Sequence, residues 1–306
     1  MPQTDYQSVI DAPTWDFIRQ SEAAYPADTT SLTIADQRAI YDAMCRVFHQ
    51  GYPQGVTARD EEVAGVPCRR YPGTAPLVVY LHGGGFVVGG LHSHDDICAE
   101  IRAATGFEVL AVDYRLCPEH PHPAAFDDAM AVVAASPGPI LLVGDSAGGT
   151  LAAAVAAAMR DPRILGQVLV YPGLGGPREG GSFVTHAHAP MLTAADVDFY
   201  SRLRHGADAP KEPDPTAAPL MAGSFRDLPP TLALAAECDP LADDAVRYAT
   251  AIRAAGGRAH AITEAGLVHG YLRARTTVPR AAASFARIPH ALTAFATGHW
   301  PYGETP

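Results

Sequence analysis

A chain of 306 residues, 48% hydrophobic and 18% charged, has the composition of an ordinary globular protein of enzyme size, long enough for one large domain or two smaller ones. The formal net charge of −11, with no clustered basic patch, argues against a surface that binds nucleic acid or an anionic membrane by displacing phosphate counterions. No apolar run approaches membrane-spanning length and the polar start lacks a signal-peptide pattern, so a cytoplasmic protein is expected.

The first fifty or so residues read as helices. One is expected around 15–24. A second begins near Ser31 or Thr33, where Ile40, Ala43, Met44, Val47 and Phe48 fall on one stripe. From Ala58 the texture changes to short strands, at 60–63, 67–71 and 77–81. Apolar runs at 109–112, 140–143, 168–170, 232–236 and 259–262 then alternate with helical stretches at 95–104, 126–134, 150–160, 243–255 and 280–296. Continuous apolar runs of four or five residues separated by helices are what a mostly parallel sheet covered on both faces requires, so the predicted class is α/β.

One long interruption separates the strands ending near Tyr171 and starting near Thr231. It holds a further helix opened by Thr193 with Asp196 as a capping-box variant, then a stretch carrying Pro210, Pro213, Pro215 and Pro219. Insertions of this size in α/β domains are usually functional. The expected organisation is therefore a catalytic domain at 57–182 and 229–306, with a cap made of residues 1–56 and 183–228. The five cysteines, Cys45, Cys68, Cys98, Cys117 and Cys238, are scattered without C-x-x-C spacing, which predicts free thiols and neither a disulfide framework nor a zinc site.

The chemistry centres on Gly144-Asp145-Ser146-Ala147-Gly148, which fits G-x-S-x-G between an apolar run and an alanine-rich helix. Small flanking residues permit a turn that leaves the serine hydroxyl exposed as a nucleophile. Such a serine needs a base, an acid that orients the base, and donors for the developing oxyanion. The run His82-Gly83-Gly84-Gly85-Phe86 directly follows a strand, so the N–H groups of Gly84 and Gly85, with that of Ala147, can converge on one oxygen. For the acid, Asp239 lies in the loop just beyond a strand, and Asp243 is the alternative. For the base, His269 follows the last strand and sits at the same sheet edge. His92-x-His94 and His120-x-His122 lack the companion ligands a metal site needs, and no metal or organic cofactor is expected.

Together these motifs, with Asp113-Tyr114-Arg115-Leu116, Pro118-Glu119-His120-Pro121, Asp214-Pro215 and Asp239-Pro240-Leu241, resemble the hormone-sensitive-lipase-like group of esterases and lipases, bacterial family IV of the α/β-hydrolase superfamily. The resemblance covers nearly the whole chain. It implies an α/β-hydrolase fold with a helical cap, a Ser146, Asp239 and His269 triad, and an oxyanion hole at Gly84, Gly85 and Ala147. Cys117, Thr150 and Tyr271 depart from the residues common in that group, though none is a proposed catalytic residue. The implied activity is hydrolysis of small or short-chain carboxylic esters through an acyl-enzyme. An amidase, carbamate hydrolase or acyltransferase with the same triad is the alternative, and a non-catalytic receptor on the same fold is the rival of another class. Phe86, Phe183, His186, His188 and Met191 are the candidate pocket residues. The expected partner is a small ester, with the chain a monomer or homodimer.

Overall fold

The computed structural model describes residues 4–26, 28–206 and 214–303. Pro210 and Pro213 of the proline-rich stretch lie outside them. Eight strands form one sheet: β1 (Arg59–Val63), β2 (Val66–Tyr71), β3 (Thr74–Leu81), β4 (Phe107–Val112), β5 (Ile140–Asp145), β6 (Ile164–Val170), β7 (Thr231–Cys238) and β8 (Ala259–Val268). Their order is β1-β2-β4-β3-β5-β6-β7-β8. The β1–β2–β4 edge is antiparallel and the rest is parallel. The mostly parallel sheet is the α/β class that the alternating apolar runs predict, in the α/β-hydrolase arrangement that the resemblance implies.

The central parallel strands are buried on both faces, every residue of β5 included, which is why they read as nearly unbroken apolar runs; the edge strand β8 is only partly buried. The helices are α1 (Tyr6–Val9), α2 (Ala12–Ala24), α3 (Ile34–Phe48), α4 (Asp95–Thr105), α5 (Ala124–Ala135), α6 (Ala147–Met159), α7 (Gly181–Thr185), α8 (Ala194–His205), α9 (Ala242–Ala254) and α10 (Pro279–Ala296). None is long and apolar enough to cross a membrane, among the described residues.

Chain direction across the sheet reverses at β3. From β3 the chain passes through α4 to β4 on one side, and from β5 through α6 to β6 on the other. The loops leaving the carboxyl ends of β3 and β5 diverge, and a crevice opens between them. Both the glycine run and the serine turn sit at that crevice.

The N-terminal helices are tied to the body by side chains. Phe17 of α2 packs edge-on against Phe48 of α3 with ring centroids 5.2 Å apart. Arg38 of α3 donates to the Val87 and Cys117 carbonyls at 2.8 and 2.9 Å and pairs with Glu119. In the insertion, α8 starts with the predicted capping box, in which Thr193 and Asp196 satisfy each other's backbone N–H.

Three details differ from the sequence reading. Helix α6 starts at Ala147, not near Thr150, because the glycines after the serine are already helical and serve close packing. Strand β8 continues to Val268, past the expected 262, crossing Gly266 at positive φ. The expected boundary between 182 and 183 falls inside α7, whose Ser182 exchanges hydrogen bonds with Pro240 and Asp243 of the body.

Candidate active site

Strand β5 ends at Asp145 and α6 starts at Ala147, so Ser146 alone turns the chain. Its backbone, φ 52° and ψ −119°, lies where side-chain-bearing residues are strained. Neighbouring glycines make the turn possible. A Cβ on Gly148 would collide with the Leu81 carbonyl on β3, and one on Gly144 with the backbone of Gly148. The serine N–H donates to Val170 O at 2.8 Å, fixing the turn to β6.

The turn points the hydroxyl at His269, which follows β8. Ser146 Oγ lies 2.9 Å from His269 Nε2, and His269 Nδ1 lies 2.7 Å from Asp239 Oδ2. Asp239 is completely buried, so its carboxylate favours the imidazole tautomer that donates from Nδ1 and leaves Nε2 to accept the serine proton. The Tyr171 ring packs against the imidazole with centroids 4.7 Å apart. Asp243 does not join this chain: it accepts from Ser182 N and pairs with Arg247 on a half-exposed helix turn.

The glycine run bends sharply, with Gly84 and Gly85 at φ 132° and 60°, values that glycine alone adopts freely. The Gly84 carbonyl accepts from the N–H of both Val87 and Val88 at 3.0 Å, while the N–H groups of Gly84 and Gly85 donate to no backbone carbonyl among the described residues. Ala147 supplies the first N–H of α6, which has no partner within the helix. A Cβ on Gly85 would come within 2.6 Å of the Tyr200 ring, so the bare backbone lets that ring lie over the turn.

Asp145, which the sequence reading passed over as the variable position of the motif, holds this turn in place. Its buried carboxylate accepts from Tyr80 Oη at 2.9 Å, Gly83 N at 3.0 Å and His94 Nε2 at 3.2 Å. Burial alone would push its pKa up, but His94, Tyr80 and the Arg273 guanidinium hold the carboxyl well below the usual range. Burial, with His94 beside it, pushes the His82 imidazole down to about 3; it is a neutral ring stacked on Tyr114. A carboxylate ending an otherwise apolar strand was the available signal for Asp145. His94 and Tyr171 left none.

Two cavities meet at Ser146 and share Gly85, Leu192 and Tyr200 in their walls. The smaller, about 170 Å³, extends past Ala147 and Thr150 and includes Phe86 and Phe183. The larger, about 830 Å³, reaches under α2 and α3 and includes His188, Met191 and His269. Phe86 presents its ring to the buried Arg204 guanidinium, 3.8 Å away. His186 behaves differently from His188: its Nδ1 lies 3.2 Å from the Tyr6 hydroxyl, a contact between the insertion and α1.

Residues 78–273 match the family model described as alpha/beta hydrolase fold. The chain belongs to that family. It is 40% identical over 220 residues to the esterase LipI of Mycobacterium tuberculosis, a match covering 68% of this chain and 69% of that protein. It is 32% identical to the ethyl acetate hydrolase of Pseudomonas putida, covering 78% of this chain and 80% of the relative. A solved esterase from the bacterial hormone-sensitive lipase family superposes with a TM-score of 0.85 at 29% identity, covering 94% of this chain and 99% of that one. Within its family this alpha/beta hydrolase is a hormone-sensitive-lipase-like carboxylic ester hydrolase.

Proposed function

We propose that the chain hydrolyses small carboxylic esters with Ser146 as nucleophile, His269 as base and Asp239 as its orienting acid. The continuous Asp239–His269–Ser146 hydrogen-bond chain, at 2.7 and 2.9 Å, carries this reading. As Ser146 Oγ attacks the ester carbonyl, its proton passes to His269 Nε2. The carbonyl oxygen becomes an oxyanion facing the N–H groups of Gly84, Gly85 and Ala147, which are fixed before the reaction begins. Collapse expels the alcohol, which takes the proton from His269 and leaves an acyl group on Ser146. Water, deprotonated by the same imidazole, attacks the acyl carbon and frees the acid.

The N-terminal helices and the insertion act as one cap over this site. Tyr25 and Tyr41 from the first and Met191 and Tyr200 from the second wall the larger cavity, whose volume suits a small molecule. The Tyr25 and Tyr200 hydroxyls, 3.3 Å apart, link the two pieces.

The test is a panel of esters varied in acyl and alcohol size, with amides of the same acids, assayed on wild type and Ser146→Ala. Esters turn over faster than amides, and the variant loses at least about a thousandfold in kcat while still folding. Full turnover by pure Ser146→Ala protein, or faster cleavage of the amides, would overturn the assignment.

A further inference from the structure

Arg273 lies in the short turn after His269 and is only 9% exposed, yet it forms part of the wall of the larger cavity. Removing a guanidinium from water is costly, and arginines so placed normally face a carboxylate. Arg275, two residues on, is such a case: its buried guanidinium meets Asp96 at 2.7 Å and Glu100 at 2.6 Å. For Arg273 no carboxylate lies within ion-pair distance among the described residues. Its Nη1 donates to Ser93 O at 3.0 Å and its Nη2 to the Tyr41 hydroxyl at 2.8 Å. Those bonds occupy two of five N–H donors. Asp145 supplies negative charge only from a distance, its oxygens already bonded to Tyr80, Gly83 and His94.

We propose that the missing partner arrives with the substrate: the ester group entering the larger cavity carries a carboxylate, and Arg273 binds it. The inference rests on the esterase reading and names the substrate class within it. The other ionisable groups of the cavity wall support one binding place. Glu22 is exposed on α2, and Asp196 is engaged by Thr193 N and Oγ1 at 2.9 and 2.7 Å. Both repel an anion, as does Asp145. His94 is bonded to Asp145 and His188 is exposed. Arg273 is therefore the fixed cation with donors to spare, and charge-assisted bonds to it orient the substrate with its ester at Ser146.

Two series of substrates test this. Methyl hemiesters of linear dicarboxylic acids put the carboxylate on the acyl side, and acetate esters of ω-hydroxy acids put it on the alcohol side. Each is compared with the neutral primary amide of the same length. In wild type, kcat/KM for the carboxylate exceeds that for the amide by about tenfold or more at one spacer length, chiefly through KM. The series in which this happens locates the charge. Arg273→Gln brings the ratio to one or below, and Arg273→Lys retains part of the preference.

Equal or better turnover of the amides at every length in both series overturns the proposal, as does a ratio unchanged in Arg273→Gln. Should the variants fail to fold, wild-type inhibition decides: free ω-hydroxy acids or dicarboxylates must compete more strongly than their amides. Hydrolysis of simple acetate esters without any carboxylate preference defeats this inference alone. Failure on all esters defeats the esterase reading itself.

Discussion

The Asp239 carboxylate is divided between two partners: Oδ2 faces His269 Nδ1 at 2.7 Å, and Oδ1 accepts the Leu241 N–H at 2.8 Å. The backbone bond stops the side chain from rotating, so the second oxygen can only face the imidazole. Asp239→Asn keeps the shape but places an amide donor or a neutral acceptor against Nδ1. Loss of the preferred tautomer then lowers kcat by about 10³–10⁴, as in the equivalent change in a serine protease triad. Asp243→Asn, which alters only the contacts to Ser182 and Arg247, leaves kcat within about threefold, given that exposed ion pairs contribute little. Steady-state kinetics on both variants decide, and an inactive Asp243→Asn beside an active Asp239→Asn reverses the assignment.

Tyr200 divides the space around the serine, since its ring belongs to both cavity walls and lies over Gly85. Tyr200→Ala joins the cavities and shifts relative kcat/KM towards esters with bulkier groups by about tenfold or more, a few methylenes being worth that much in an apolar pocket. Tyr200→Phe keeps the ring and loses only the 3.3 Å contact to Tyr25, so its size preference stays with wild type. Identical size profiles for Tyr200→Ala and wild type would show that the ring does not limit substrate size.

Asp244 makes stability depend on pH. Burial pushes its carboxyl up to about 6, against the N–H groups of Leu174 and Gly176 that favour the charged form. A folded-state value above the unfolded one means that the folded chain holds this proton more tightly. The associated stability is present below about pH 4 and is lost as pH rises through about 6. Asp244→Asn stays neutral throughout, so between pH 4 and 7 wild type loses on the order of 1–3 kcal/mol relative to the variant. Urea midpoints at several pH values measure this, and parallel profiles would contradict it.

The central strands were legible because burial on both faces writes each as a nearly unbroken apolar run, and Ser146 and Asp239 follow two of them; β8, which leads to His269, mixes buried and exposed residues, so its end was harder to read. The glycines were legible because φ values such as those of Gly84 and Gly85 strongly favour glycine. Asp145 was harder. The carboxylate at the end of an apolar strand marks the position, but its partners Tyr80 and Gly83 lie 65 and 62 residues away in sequence, so nothing local says what it holds. The pocket residues divide for a related reason: His186 and His188 lie in an irregular segment with no period to set their directions. One meets Tyr6 and the other the cavity. Arg273 carried no signal because its significance lies in a carboxylate that the chain does not place beside it.

The pairing of Leu81 with Gly144 in neighbouring strands sets the distance between the proposed oxyanion donors and the proposed nucleophile. That spacing is fixed by main-chain geometry and is indifferent to the side chains above it. What meets the rest of the substrate comes mostly from segments outside the sheet, α2, α3, α8 and the loops around them. A lineage can therefore replace those segments piecemeal, altering which esters are admitted while the bond-breaking apparatus is inherited intact.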